Sequence, residues 1–220
     1  MKDSAHLLEV RSVSFMRQQT LLAPVSFTLD KGEFIWLTGP SGAGKSTLLK
    51  IISSLLEPSS GDVYFHGQSL ATLQPEQYRQ QVSYVFQTPA LFGHTVWDNL
   101  AFPYQIRQQV PKRQVMLDGL QRLHLPAETL ERRIEQLSGG EKQRVALLRN
   151  LQFPPEILLL DEITSALDQH NREAVHQLID EQVEKGTAAI WISHDNQETS
   201  DARRKVVLSA PKHRGLNGTA

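Results

Sequence analysis

The sequence predicts an α/β domain on a mostly parallel sheet, and three observations carry that reading. Apolar runs alternate with helix-periodic segments along most of the 220 residues, the pattern of successive βα units. One apolar run, residues 33–38, passes straight into a glycine-rich loop and then into an apolar-periodic helix over residues 46–55. Another, residues 156–160, is apolar almost throughout, as expected of a strand covered on both faces. The length suffices for one such domain with a substantial core.

In chain order, residues 7–13 and 25–29 read as short early strands, and Gly32 marks the turn into the next. Pro58 and Gly61 end the first βα unit, and residues 63–66 open another strand. Residues 88–136 differ: they are helix-like, with breakers at Pro89, Pro103, Pro111 and Pro126, and Val115, Leu120 and Leu123 mark an amphipathic helix. This stretch is expected to form a mainly helical lobe inserted between two sheet segments. The α/β pattern then returns, with a helix over 171–185 that turns Ala174, Leu178, Ile179 and Val183 inward. A buried strand follows at 188–193 and a last one at 206–208. A single domain over 7–208 is expected, followed by a loosely ordered tail, 209–220, containing Pro211, Gly215 and Gly218.

Composition narrows the function classes. Lys and Arg number 23 and Asp and Glu 24, a net charge of −1. That gives no support for broad electrostatic binding to nucleic acid, and no nucleic-acid partner is expected. The absence of cysteine excludes disulfides and thiolate metal sites. Residues 1–10 carry Lys2, Asp3, His6 and Glu9 and lack the apolar centre of a secretory signal. No window approaches the roughly 18 consecutive apolar residues of a membrane span. Any role at a membrane is therefore expected to go through a partner.

The glycine-rich loop reads Gly39-Pro40-Ser41-Gly42-Ala43-Gly44-Lys45-Ser46-Thr47, a match to G-x-x-x-x-G-K-[ST]. Its glycines let the backbone wrap closely and aim N–H groups inward, and the following helix adds the positive end of its dipole. Lys45 supplies a full charge to the terminal phosphates of a nucleotide, and Ser46 a hydroxyl to Mg²⁺. The run Ile157-Leu158-Leu159-Leu160 ends in Asp161-Glu162. Open α/β sheets place ligands at strand carboxyl ends. Asp161 is placed to hold Mg²⁺ and Glu162 to polarise a water for in-line attack on the γ-phosphate. ATP and Mg²⁺ are thus the expected ligands.

Between these motifs stands Leu137-Ser138-Gly139-Gly140-Glu141-Lys142-Gln143-Arg144. Ser138 is expected to precede a helix that begins near Glu141, with Gly139 and Gly140 leaving backbone amides open as a second anion site. Together with the cradle and the acid pair, this octapeptide resembles the ATP-binding cassette family, over nearly the whole chain from about 7 to 208. The resemblance implies a P-loop NTPase fold: a mostly parallel sheet core, an antiparallel β subdomain and an inserted helical lobe. It implies that Ser138, Gly139 and Gly140 of one subunit close over ATP held by residues 39–47 of another, in a head-to-tail homodimer formed on ATP binding.

The same resemblance places Gln87 beside Mg²⁺ or the attacking water. It places Ser165-Ala166-Leu167-Asp168 at the dimer interface, and His194 against the γ-phosphate, where it orients Glu162. Arg17 falls where many cassettes stack an aromatic on adenine, and Phe15 is expected to pack within its strand. A permease subunit is the implied partner. It would dock near Leu91, Phe92, Val96 and Trp97, with Phe92 the better contact candidate, and would hold the chain at the cytoplasmic face of a bacterial inner membrane.

The runs 92–108 and 148–153 resemble a bacterial iron-export branch of the family. Another small-molecule transporter is the alternative. A soluble ATPase acting on DNA or ribosomes would be expected to carry coiled-coil insertions or a second cassette. His6, His66, His94, His124, His170, His176 and His213 show no metal-ligand spacing and read as surface or loop residues.

Overall fold

The strand alternation of a central sheet divides the core in two. The computed structural model describes residues 6–193, 195 and 198–210. Among them, β3 (Phe34–Thr38), β6 (Val82–Val85), β7 (Ile157–Asp161), β8 (Ala188–Ile192) and β9 (Arg204–Val207) form a sheet in the order β6-β7-β8-β3-β9. Every neighbouring pair in it is parallel. A second sheet, β2-β1-β4-β5, is antiparallel and consists of β1 (Leu8–Met16), β2 (Thr20–Leu29), β4 (Ser60–Phe65) and β5 (Gln68–Ser69).

Side chains alternate across a strand. Ile157 and Leu159 of β7 therefore join a core shared with Leu8 and Val10 of β1 and with Leu48 and Ile52 of helix α1 (Lys45–Ile52). Leu158 and Leu160 enter the other core, shared with Leu100 of α3 (Val96–Ile106), Leu120 of α4 (Arg113–Arg122), Val145 of α5 (Gly139–Asn150) and Ile179 of α6 (Gln169–Glu184). Helix α2 (Pro75–Gln81) leads into β6. This arrangement covers β7 on both faces, so its residues are all buried. It also brings the carboxyl ends of the parallel strands to one edge of the sheet, where the cradle and the acid pair emerge.

Several local expectations shift. Strand β2 is longer than expected and contains Pro24. It lies at a sheet edge, where a missing N–H need cost no ladder bond. Pro103 does not break the lobe helix but sits inside α3. A capping box at the helix start, Thr95 with Asp98, and the burial of Val96, Leu100, Ala101 and Tyr104 offset the lost backbone bond. Helix α4 exists, but Val115 is exposed, and the inward row is Met116, Gly119 and Leu120. At 3.6 residues per turn Val115 lies about 140° round the helix from Leu120. Val183 is only half-buried, while Ala174, Leu178 and Ile179 of α6 are buried. Residues 211–220 of the expected tail lie outside the described residues. No helix among the described residues is long and apolar enough to cross a membrane.

The lobe closes on α5 at Gly119, where an added Cβ would stand 2.4 Å from Leu148 Cδ1. Leu148 is itself buried, so it has little room to retreat. Gly119→Val is expected to destabilise the protein by about 1–3 kcal/mol through overpacking. The check is a lower urea midpoint with an unchanged m-value.

Candidate functional site

The cradle is built by residues that turn β3 into α1. Gly44 caps the helix with φ +88°, and a Cβ there would lie 2.4 Å from the Leu21 carbonyl oxygen, so only glycine fits this closely packed left-handed turn. Helix α1 has no side-chain cap and no acid in its first turn, which leaves its first amides to an anionic ligand. Lys45 is buried, and its Nζ donates to the carbonyls of Gly39 at 2.8 Å and Pro40 at 3.1 Å. Burial lowers its pKa, against the opposing pull of Glu162 and Asp161. A cavity of about 290 Å³ lies here, walled by Leu21, Ser41, Gly42, Gly44, Lys45, Ser46, Thr47 and Glu162.

The acid pair meets the cradle at this point. Asp161 ends β7 and is 3% exposed. Its Oδ1 accepts from Ser46 Oγ at 3.1 Å, and its Oδ2 accepts from the Tyr84 hydroxyl at 2.6 Å. A serine hydroxyl beside a carboxylate is a hard-oxygen donor set and fits Mg²⁺. Glu162, the next residue, has φ +49°, a left-handed conformation that costs a non-glycine residue energy and is concentrated at functional sites. Its N–H donates to the Ile192 carbonyl at 3.0 Å, and its own carbonyl accepts from Ser165 Oγ at 2.9 Å. Gln87 Nε2 donates to Glu162 Oε2 at 2.9 Å. The structure thus joins Ser46 to Asp161 and Gln87 to Glu162, so that Gln87 is bonded to the expected base.

The helix expected to carry the second anion site starts earlier than expected. Helix α5 begins at Gly139, and Ser138 is its N-cap. Ser138 Oγ accepts from the Glu141 N–H at 3.2 Å, and Glu141 Oε2 accepts from the Ser138 N–H at 2.7 Å. Burial raises the Glu141 pKa, but hydrogen bonds from Ser138 and Arg132 outweigh that and hold it below the usual range. Gly139 faces open space on its Cβ side, whereas a Cβ on Gly140 would meet Leu167 Cδ2 at 3.0 Å. Asp168 caps α6 by accepting from the Asn171 N–H at 2.9 Å, and Arg144 bonds to both the Leu123 carbonyl and Asn171. The signature octapeptide and the 165–168 loop are therefore packed together. Neither contributes to the wall of the cradle cavity.

His194 lies outside the described residues. On either side of it, Asp195 pairs with Arg172 at 2.6 Å, and Ser193 Oγ donates to Glu198 Oε2 at 2.5 Å. Glu198 also holds His176 Nε2 at 3.2 Å, and the His176 ring stacks on Trp191 with centroids 4.5 Å apart. His176 is thus part of a packed polar cluster rather than a surface residue. His124 and His170 stack with centroids 4.0 Å apart and planes at 4°; parallel rings do not aim their nitrogens at one point. Phe15 is buried, and the exposed Arg17 stands 5.9 Å from its ring centroid. Sequence reasoning missed Tyr84, Arg172 and Glu198. Their partners come from other elements, and no local spacing marks them.

The family model for ABC transporters matches residues 22–165, which span the cradle, the octapeptide and the acid pair. The chain is an ATP-binding cassette of the ABC transporter family. The "probable iron export ATP-binding protein FetA" of Escherichia coli strain K12 is 50% identical over 94% of this cassette and 93% of its own length. The spermidine/putrescine import ATP-binding protein PotA of Legionella pneumophila strain Philadelphia 1 is 36% identical over 97% of this cassette, which spans 59% of that relative. The cassette MJ0796, solved as a dimer in a post-hydrolysis state with ADP and phosphate, superimposes with a TM-score of 0.83. It is 28% identical, and the match covers 96% of this chain and 100% of that one. The cassette binds ATP and hydrolyses it, and its fold is the P-loop architecture the sequence predicts.

The polar cluster around Glu198 is expected to be sensitive to acid. Burial raises the Glu198 pKa, but hydrogen bonds from His176, Ser193 and Thr164 outweigh this and depress it below 4.5. A depressed carboxylate pKa contributes stability that is present above the unfolded value and lost as pH falls through the folded one. Glu198→Gln is expected to cost about 1–3 kcal/mol near neutral pH. The gap from the parent should narrow as pH falls below 4.5. Urea midpoints measured at a series of pH values test both statements.

Proposed function

We propose that this cassette energises a bacterial iron exporter, as a homodimer formed on ATP binding and docked on a separate membrane permease at the cytoplasmic face of the inner membrane. The observation that carries the hydrolysis step of this reading is the meeting of Ser46 with Asp161 and of Gln87 with Glu162 at the mouth of the cradle. The iron assignment rests on 50% identity over nearly the full length of the FetA protein. The import relative PotA of Legionella pneumophila, at 36% identity, is a longer protein of which this chain spans 59%.

In the proposed mechanism the amides of residues 39–47 and the Lys45 ammonium hold the β- and γ-phosphates, with Lys45 exchanging its carbonyl partners for phosphate oxygens. Ser46 and Asp161 are the side chains that would hold Mg²⁺, which supplies charge neutralisation on those oxygens. Gln87 holds the Glu162 carboxylate, and Glu162 draws the proton from the attacking water. His194 orients this pair against the γ-phosphate. The open face at Gly139 and the first amides of α5, from a second copy, close over the nucleotide. A pocket completed only by a twin subunit lets ATP bring two cassettes together and hydrolysis release them. The dimeric state of the MJ0796 cassette supports the pairing of two copies.

The proposed permease contact is a cavity of about 280 Å³ beside β6. Phe86, Phe92, Phe102 and Ile106 line it, and they are four of the nine large apolar side chains exposed among the described residues. An exposed apolar cluster of this kind marks a protein contact. Arg79, Arg107 and Arg149 stand among them, and the lining contains no Asp or Glu. Arg149 lies over the Phe92 ring at 4.6 Å and donates to the Ala90 carbonyl at 2.8 Å. Burial pushes its pKa down to about 10. Val96 is fully buried and belongs to the lobe core, which leaves Phe92 as the contact candidate.

Glu162→Gln is expected to retain ATP binding and to lower kcat by about 10²–10⁴-fold, the usual contribution of a general base. An unchanged turnover rate refutes the assignment of Glu162. With saturating ATP this variant should also dimerise in solution or on its permease, as read by light scattering or crosslinking. The double variant Phe102→Glu/Arg107→Glu should keep basal ATP hydrolysis while losing co-purification with a co-expressed permease. Retained co-purification would move the contact elsewhere. Iron efflux from cells expressing both proteins, with Lys45→Ala as the inactive control, tests the cargo.

A further inference from the structure

We infer that Tyr84 is a positioning residue for the metal-binding arm: its hydroxyl holds the Asp161 carboxylate in the one orientation that turns the other oxygen toward Ser46. The inference rests on the reading that Asp161 binds Mg²⁺. Tyr84 pairs across the β6–β7 ladder with Leu159, two residues before Asp161 and on the same face of β7. Its hydroxyl therefore arrives beside the carboxylate from the neighbouring strand. The two oxygens of Asp161 are thereby given different tasks. Oδ2 is taken by the Tyr84 hydroxyl at 2.6 Å, and Oδ1 faces the Ser46 hydroxyl at 3.1 Å.

The ring is held as firmly as the hydroxyl. Tyr84 is buried and packs against Phe86 with ring centroids 4.3 Å apart. A phenol hydroxyl next to a carboxylate is the donor of the pair, so Tyr84 gives its hydrogen to Asp161 Oδ2. Asp161 is still less accessible than Tyr84, 3% exposed. Without Tyr84, one of its oxygens would face the protein interior unsatisfied, or the carboxylate would turn and carry Oδ1 away from Ser46. Partners that hydrogen-bond a ligating carboxylate fix its direction and typically affect metal affinity about 10–100-fold. A tyrosine that only filled core volume would be replaced by phenylalanine without consequence for the metal.

The test uses the purified Glu162→Gln cassette, which removes turnover, with Mn²⁺ as a paramagnetic probe titrated against the protein–ATP complex. Adding Tyr84→Phe is expected to raise the Mn²⁺ concentration at half-saturation about tenfold, while ATP affinity in excess EDTA stays within about twofold. Asp161→Asn in the same background serves as reference. If Asp161→Asn leaves Mn²⁺ binding unchanged, the metal role of Asp161 is wrong and the Tyr84 inference falls with it. If Asp161→Asn weakens binding and Tyr84→Phe does not, the Tyr84 inference alone is overturned. It is equally overturned if metal-free ATP affinity drops in parallel with Mn²⁺ affinity, because that is a general loosening of the site.

Discussion

The buried carboxylate of Asp161 is where this structure is most constrained. An ionised group taken out of water costs several kcal/mol unless it is met by donors of good geometry. Here the donors come from two other elements: Ser46 on α1 and Tyr84 on β6. For both to reach Asp161, β6 and β7 must hold their register, and β3 must deliver the cradle two strands away, across β8. The apolar run Ile157–Leu160 serves that end, since burial on both faces leaves β7 no freedom to slip. The division of the core is thus a condition of the site. One set of side chains seats α1 under the cradle, and the other carries the helical lobe.

What could be read from the sequence was what short stretches of chain encode by themselves. The cradle is legible because glycine at 44 is required by a local left-handed turn with a carbonyl pressed against it. The signature is legible because Ser138 and Glu141 cap a helix start reciprocally, although two glycines made that helix look as if it began later than it does. The strand that carries Asp161 is legible because continuous burial leaves a continuous apolar run. Where local signals compete, the reading drifts. Pro103 looks like a breaker, yet burial of its neighbours carries α3 through it. Val115 looks like part of an apolar row but is out of phase with Leu120.

The contacts that escaped the sequence all join elements distant in the chain. Tyr84 and Asp161 are separated by 77 positions, and nothing near either residue announces the other. Arg172 and Asp195, or His176 and Glu198, are likewise brought together only when α6 packs beside the end of β8. Such pairs depend on strand order and helix docking, which a periodicity argument does not supply.

The short end of β6 joins the parts of the proposed machine. Tyr84 reaches Asp161, and Gln87 reaches Glu162. Tyr84 and Phe86 also wall the cavity proposed for the permease. Gln143, within the signature octapeptide, donates to the Phe86 carbonyl at 3.1 Å. Tyr84, Phe86 and Gln87 therefore touch the proposed metal ligand, the general-base candidate, the proposed docking cavity and the signature helix. β6 is an edge strand tied to one neighbour only. Its ladder with β7 ends at Val85, and beyond it Phe86 and Gln87 are held by hydrogen bonds to Gln143 and Glu162. A partner pressing on Phe86 works against that last segment rather than against the central sheet. In the proposed mechanism the docking cavity and the two acids are therefore joined through this one segment.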